Sequence, residues 1–383
     1  MIWNYSNSRT DAYEVEGDIR IQGSSSTIFI ASNSSSGGRR RAIHITVKPH
    51  PRKFDKSAMV SVRSFKMKTG PPDTIPQCTR IMEVPAILFS TGGHVGNHFH
   101  RITDVFVPLF ATSQQFHRRV LFLVTNRDSQ LTSNYRETLE RLSEYVVRDI
   151  DGDDEILCFP RMMVGLKASK LGLSIDPTPS SSFSMRNFSR LLRAVYSLKR
   201  ESVDMQPWPR PRMLLVTRGS SRRLTNHVEV GNMARSLGFE VVAQDFGGNV
   251  TSIAELVNAA DVMVGVHGAG LTNMVFLPEN AVVIQITPLG MDHFAEICYG
   301  RVPAEEMKLK YLEYMVMLNE SSLAGKYPDD SEVYKNSVDY CLAIGFSMCK
   351  KVFMDNQDVT LHLPTFRKTL SQALDLLTVA ASA

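Results

Sequence analysis

Across residues 213–286 the sequence repeats one pattern: a short apolar run, an amphipathic stretch, then a polar or glycine break. The runs at 213–216, 240–243, 262–266 and 282–286 have the length and β-branched content of strands. Amphipathic stretches at 228–237, closed by Gly238, and at 253–257 lie between them, and Asn226 with Glu229 fits a capping box ahead of the first. Strands spaced by helices of this length pair in parallel through crossovers, so the pattern predicts a doubly wound α/β sheet. Ligands of such sheets gather at the carboxyl ends of the strands. The loops that follow Val216 and Val266 are therefore the first places to look for chemistry.

A chain of 383 residues exceeds what one ordinary core supports. The break falls at 206–211, Gln-Pro-Trp-Pro-Arg-Pro, which neither a helix nor a central strand accommodates. We place the domain boundary there, giving domains 1–205 and 206–383. Before the break, Leu191, Leu192, Val195 and Leu198 share one helix face. Residues 1–80 read as a β-rich extension: a hairpin of 14–22 and 27–31, a polar loop at 32–41, and a strand at 42–48. From Val84 strand and helix alternate, with strands at 85–89 and 120–124 and a helix at 134–145. The last helix of the second domain could pack back on the first.

The composition, 43% hydrophobic and 21% charged, is that of a folded chain, and the net charge of +4 is modest. Gly38-Arg39-Arg40-Arg41 is the one short basic cluster and reads as a solvated loop, so no nucleic-acid partner is expected. The five cysteines show no metal-binding spacing and allow at most two intrachain bridges; Cys341 and Cys349 are the pair closest in sequence. Asn4, Asn33, Asn187, Asn249 and Asn319 each head an Asn-x-Ser/Thr triplet, which leans towards the secretory pathway. No stretch approaches the roughly 20 apolar residues that span a bilayer. A membrane link would run through an anchor that this sequence does not contain.

Three loops carry chemistry. Residues 264–273 run from an apolar strand into His267-Gly268-Ala269-Gly270 and then Leu271-Thr272-Asn273. Glycines let backbone approach a phosphate, a helix start offers free N–H groups, and His267, Thr272 and Asn273 are side-chain donors in reach. Arg218-Gly219-Ser220-Ser221-Arg222-Arg223 follows the first strand of the same sheet. Arginine grips phosphate oxygens bidentately and holds its charge, so Arg218, Arg222 and Arg223 are candidate diphosphate ligands. The third loop, 90–104, holds Gly93, Gly96, Asn97, His100 and Asp104. It lacks the Lys-Ser/Thr of a P-loop and the GxGxxG of a dinucleotide site. With a helix starting near Asn97, His100 and Asp104 lie one turn apart, a carboxylate-oriented imidazole suited to general-base work.

Taken together these loops resemble glycosyltransferase family 61, and its grass xylan-modifying branch in particular. The matching pieces are Gly92-Gly93, Gly96-Asn97, His100 to Asp104 and Val107-Pro108-Leu109-Phe110. Cys158-Phe159-Pro160-Arg161, Val164-Gly165-Leu166 and Ile175-Asp176-Pro177 follow, then Arg218 with Arg222-Arg223. The run from Val264 to Asn273 continues to Phe276-Leu277-Pro278, and 355–363 with Phe366 and Leu370 fits near the end. The resemblance implies a GT-B fold, two Rossmann-like domains facing a cleft, with donor held by the second and acceptor by the first. It implies an inverting transfer of arabinofuranose or xylose from a UDP-sugar to a xylan-type polysaccharide in the Golgi lumen. Animal relatives transfer N-acetylglucosamine, so another sugar, or a non-catalytic carbohydrate-binding role, is the alternative. The chain departs from the family at Trp3 and Tyr13, where members commonly carry cysteines. It departs again at Arg101, where an acidic or small residue is usual.

The expected mechanism has His100 or Asp104 as base for the acceptor hydroxyl. Gly93, Gly96 and Asn97 contact the acceptor. Arg218, Arg222, Arg223, His267 and the loop from Gly268 to Asn273 hold the diphosphate. No metal is expected, since no Asp-x-Asp pair sits where a ligand could use it; Asp151-Gly152-Asp153-Asp154 reads as a polar turn.

Overall fold

A computed structural model describes residues 1–32, 43–175, 183–204 and 209–380, with side chains to 378. The Gly38–Arg41 cluster, the Asn33 triplet, Asp176-Pro177 and the first half of the proline-rich break, 206–208, lie outside the described residues. The chain forms two compact units, one of residues 1–170 and 175–183, the other of 171–174 and 184–383.

The first unit is built on ten strands among the described residues: β1 (Ile2–Asn4), β2 (Tyr13–Gln22), β3 (Thr27–Ala31), β4 (His44–Val47), β5 (Phe65–Gly70), β6 (Arg80–Ile81), β7 (Ala86–Ser90), β8 (Leu121–Thr125), β9 (Arg148–Asp149) and β10 (Ile156–Val164). They form one mixed sheet in the order β4-β5-β3-β2-β10-β7-β8-β9, with β1 on β2 and β6 on β10. The expected β-rich extension is therefore not an appendage. Its hairpin β2–β3 joins the same sheet through eight paired positions between β2 and β10, while β10, β7, β8 and β9 run parallel. The join lies in β10, where Pro160 is accommodated by a register shift between Phe159 and Arg161. Alternating apolar residues of both halves, among them Ile19, Ile21, Leu88, Leu123 and Leu157, fill one core.

Among its described residues the second unit holds five parallel strands: β11 (Arg212–Thr217), β12 (Glu240–Asp245), β13 (Val262–Val266), β14 (Val282–Thr287) and β15 (Lys310–Met315). Their order is β12-β11-β13-β14-β15. The chain starts at β11, steps to one side, then returns to continue on the other, so the switch point lies between β11 and β13. Helices His227–Ser236 and Val250–Asn258 are the predicted crossovers. The predicted capping box at Asn226 is absent; its side chain bonds both the N–H and the C=O of Leu361 instead, pinning the returning tail.

Two boundary expectations are corrected. The helix Met185–Val195 belongs to the second unit, which thus begins near Ser184 rather than 206. It is tied there because Arg186, Arg190 and Arg193 converge on buried Glu279, and Arg193 Nη1 donates to Leu277 O at 3.1 Å. The last helix, Leu363–Ala380, places Phe366, Leu370 and Ala373 in the core of its own unit beside β13 to β15. Disulfides join Cys78 to Cys158 and Cys341 to Cys349. No helix among the described residues is long and apolar enough to cross a membrane.

Candidate functional site

The two loops that flank the switch point meet. Arg218 follows β11 and Gly268 follows β13, and the Arg218 guanidinium lies against Gly268 so closely that a Cβ there would stand 2.0 Å from Nη1. Gly268 sits at φ 152°, where a side chain is strained in any case. Arg218 Nε donates to Ser221 O at 2.9 Å, which curls the loop and brings Arg222 in behind it. Arg222 adopts φ 52°, and its backbone N–H donates to Gln357 O at 2.8 Å.

This pair of cations is poorly compensated. Burial lowers the Arg218 pKa, and burial together with the charge of Arg218 brings Arg222 down to about 10. Both remain protonated near neutrality. The Arg222 Nε is buried with no hydrogen-bond partner among the described residues. Two guanidiniums held together, one with an orphaned donor, form a site whose electrostatic strain an anion would relieve.

His267, 5% exposed, ends β13 below them. Burial, then the charge of Arg222, lowers its pKa to about 3, so the ring is neutral. Its Nδ1 lies 3.2 Å from Gln285 Oε1. The Gln285 amide nitrogen faces two acceptors, Ala295 O and the Tyr311 hydroxyl, so the oxygen must face the histidine. Nδ1 therefore carries the proton and Nε2 presents a lone pair. In this state His267 cannot donate to a phosphate as its sequence position suggests; it buttresses the loop, with the Tyr299 ring 5.4 Å away.

The remaining members of the loop divide. Ala269 and Gly270 are partly exposed at the start of a 3₁₀ helix, Ala269–Phe276, in place of the expected α-helix. Thr272 and Asn273 point inward: Thr272 Oγ1 pairs with Tyr299 Oη at 3.1 Å, and Asn273 Nδ2 donates to Gly270 O at 3.0 Å. They hold the turn's shape and are buried. Arg223 is also placed elsewhere, since its guanidinium and backbone N–H are spent on Asp358 at the exposed surface.

In the first unit, β7 delivers a loop to the carboxyl end of its sheet, and Asn97 caps the turn that follows by accepting from Phe99 N at 2.9 Å. One α-turn, His98–His100, passes into a π-helical turn, Arg101–Phe106, before the α-helix Val107–Ser113. Such turns concentrate at functional sites. Here it still sets Asp104 Oδ2 2.8 Å from His100 Nδ1.

Asp104 is 1% exposed, and Arg9 Nη2 reaches its Oδ1 at 3.1 Å. Arg52 Nη1 lies 3.6 Å from Oδ2. Burial alone would raise this carboxyl, but the His100 contact and the charges of His100, Arg52 and Arg9 outweigh it and hold Asp104 below its ordinary value. A buried, ionised carboxylate contacted by His100, Arg9, Arg52 and the Thr103 hydroxyl is an anchor and a poor proton acceptor. The 2.8 Å contact to Asp104 is shorter than the 3.3 Å approach of Arg52 to the same nitrogen. The proton thus belongs on Nδ1, leaving His100 Nε2 as the basic atom.

Around this pair, Arg52 stands at φ 148° and also grips Asp55, which His94 Nε2 approaches at 3.3 Å. His50 is fully buried, its Nδ1 on Ser90 O, and it packs so tightly on Gly93 that a Cβ there would stand 2.6 Å from Nε2. Gly93 is thus a packing glycine at φ 73°. Gly96 and Asn97 are exposed. Arg101 turns away from His100 and donates to Val95 O at 2.5 Å. Asp151 is held by Arg63, Thr125 and the Asn126 N–H in a turn. Asp18, Cys78 and Cys158 group as metal ligands would, but the two cysteines are bridged.

Arg9, Arg52, His50 and Tyr299 could not have been found from sequence, for they reach their partners from distant segments. Gln285 could have been: it is the one amide inside an otherwise apolar strand.

A parallel sheet whose switch point is flanked by an arginine loop and a glycine loop defines an α/β protein with two weakly compensated guanidiniums at the carboxyl ends of its strands. The family model Glycosyltransferase 61 matches residues 78–284, and the chain belongs to that family. Alpha-1,3-arabinosyltransferase XAT3 of Oryza sativa subsp. japonica is 39% identical over 98% of this chain and 65% of its own length. Beta-1,2-xylosyltransferase XYXT1 of the same plant is 36% identical over 98% of this chain and 84% of its own length. The chain spans about 65% of the first and 64% of the related arabinosyltransferase XAT2. The heptosyltransferase TibC of enterotoxigenic E. coli matches in structure with a TM-score of 0.31 and 12% identity, over 78% of this chain and 81% of that one. That score is too low to equate the two folds.

Proposed function

We propose that this protein is an inverting glycosyltransferase moving a pentose, arabinofuranose or xylose, from a UDP-sugar to a xylan-type polysaccharide. The observation that carries the reading is the Arg218–Arg222 pair: two partly buried guanidiniums, one with an orphaned Nε among the described residues, the other seated against a glycine that leaves it room. The relatives' names supply arabinosyl and xylosyl transfer. The GT-B arrangement is part of the proposal, with the second unit binding donor and the first binding acceptor.

In this reading His100 Nε2 takes the proton of the acceptor hydroxyl, while Asp104 holds the ring and stabilises the imidazolium. The hydroxyl oxygen attacks the anomeric carbon opposite the diphosphate. The bond from that carbon to the diphosphate oxygen breaks, its electron pair leaving with UDP. Arg218, Arg222 and the first N–H groups of the Gly268 loop meet the growing charge, a role that a divalent metal would otherwise fill. The two disulfides suit an oxidising compartment, here the Golgi lumen.

The test uses the full chain with UDP-arabinofuranose, UDP-xylose or UDP-N-acetylglucosamine and xylan oligosaccharides, with product read by mass. Pentose transfer that is abolished in His100→Ala and Arg222→Ala is expected. UDP binding without turnover on any acceptor would favour a non-catalytic carbohydrate-binding protein and overturn the proposal.

A further inference from the structure

The diphosphate reading leaves unused the strand beyond β11, the edge strand β12. β12 pairs with β11 in register, Thr217 opposite Asp245, so Asp245 stands level with the start of the arginine loop. Gly219 faces it, and a Cβ on Gly219 would lie 3.4 Å from Asp245 Oδ2. The carboxylate is exposed and has no hydrogen bond to the described residues. The next residue, Phe246, turns its ring towards Gly270, 3.7 Å from where a Cβ would be. One acceptor and one apolar wall thus flank the two glycines that border the anion crevice.

We infer that Asp245 binds the ribose hydroxyls of the donor nucleotide, with Phe246 walling the sugar-to-base side. This rests on the diphosphate reading and extends it. In doubly wound sheets the strand beside the phosphate loop ends where the ribose of a bound nucleotide lies, because sugar and diphosphate are one short linker apart. A carboxylate accepts two hydroxyl hydrogens at once, and neither Arg218 nor Arg222 can accept any. The bland role, counter-charge for Arg218, would act on every anion equally.

That difference supplies the test. Isothermal titration of wild type, Asp245→Asn and Asp245→Ala is run with UDP, 2′,3′-dideoxyuridine diphosphate and inorganic pyrophosphate. A charged acceptor lost from a hydroxyl is worth about tenfold or more in affinity. Wild type is therefore expected to prefer UDP over the dideoxy analogue about tenfold. Both variants should lose that preference, with pyrophosphate affinity within about threefold of wild type. Unchanged discrimination in the variants, or a parallel loss of pyrophosphate, would overturn the ribose assignment while leaving the diphosphate site standing. If wild type binds neither UDP nor pyrophosphate, both readings fall. Asp245 is exposed, so unfolding temperature serves as the control that the variants are intact.

Discussion

Asp104 concentrates the first unit's chemistry in one side chain. It accepts from His100 on one oxygen and from Arg9 on the other, and it is 1% exposed. In Asp104→Asn the amide must keep an oxygen towards Arg9, which turns its NH₂ towards His100 Nδ1. That nitrogen must then accept, the proton moves to Nε2, and the base is lost. We expect kcat to fall by about 10²–10⁴-fold with a smaller change in KM. The same change leaves Arg9, 4% exposed, without a compensating charge, so the unfolding temperature drops as well. Retained kcat in a folded Asp104→Asn protein would rule out this base. Gly268 is the matching residue in the second unit. In Gly268→Ala the Arg218 guanidinium must leave its seat, because the new Cβ would lie 2.0 Å from Nη1. UDP affinity should fall at least about tenfold by titration, and stability by about 1–3 kcal/mol from the strained φ. Affinity equal to wild type would mean that Arg218 does not work from that position.

Elements differ in how far the sequence revealed them. The runs at 262–266 and 282–286 match β13 and β14 almost to the residue, since buried parallel strands are continuous apolar runs and their neighbours are polar. β10 escaped detection because Pro160 argues against a central strand, and a register shift tolerates it there. β15 escaped because Lys310, Glu313 and the tyrosines of an edge strand dilute the apolar signal. The proline-rich segment at 206–211 pointed to a boundary too late in the chain. What holds helix Met185–Val195 to the second unit is ionic and far away in sequence. His100 with Asp104, and the Arg218 and Gly268 loops, were legible because local spacing carries them; Arg9 and Arg52 were not, because only tertiary packing brings them in. The helix attachment can be tested through Glu279. Burial would raise its carboxyl, but Arg186, Arg190 and Lys308 bring it down to about 2. A carboxyl held below its unfolded value of 4.5 adds stability that is fully present above that value and is lost as pH falls through 2. The contribution is about 3 kcal/mol. Glu279→Gln should lower the unfolding temperature at pH 7 and flatten the acid limb between pH 4.5 and 2. An acid limb identical to wild type would mean the arginines do not depend on Glu279.

At the scale of the whole molecule, the two units carry separate cores and one bridge each. Cys78–Cys158 closes a span of 80 residues inside the first unit, and Cys341–Cys349 a span of 8 in the second. In the chain-entropy account, a bridge restrains the unfolded chain by an amount that grows with the logarithm of the loop. That gives roughly 4.5 kcal/mol for the first bridge and 2.5 kcal/mol for the second. The long bridge also fastens β10, the strand on which both halves of the mixed sheet depend, to the segment just ahead of β6. The short one closes a helical insert whose own cluster includes Val333, Val352 and Phe353, so its loss loosens that insert more than the parallel sheet. Reduction should therefore act unevenly. Calorimetry with and without reductant is expected to show the larger downward shift in the transition of the first unit, which Cys78→Ser alone reproduces. Cys341→Ser should shift the second unit by less and mainly raise hydrogen exchange across 332–355. Equal shifts from the two variants would mean that the stabilisation comes from local packing of the sulfurs, with loop closure a minor term.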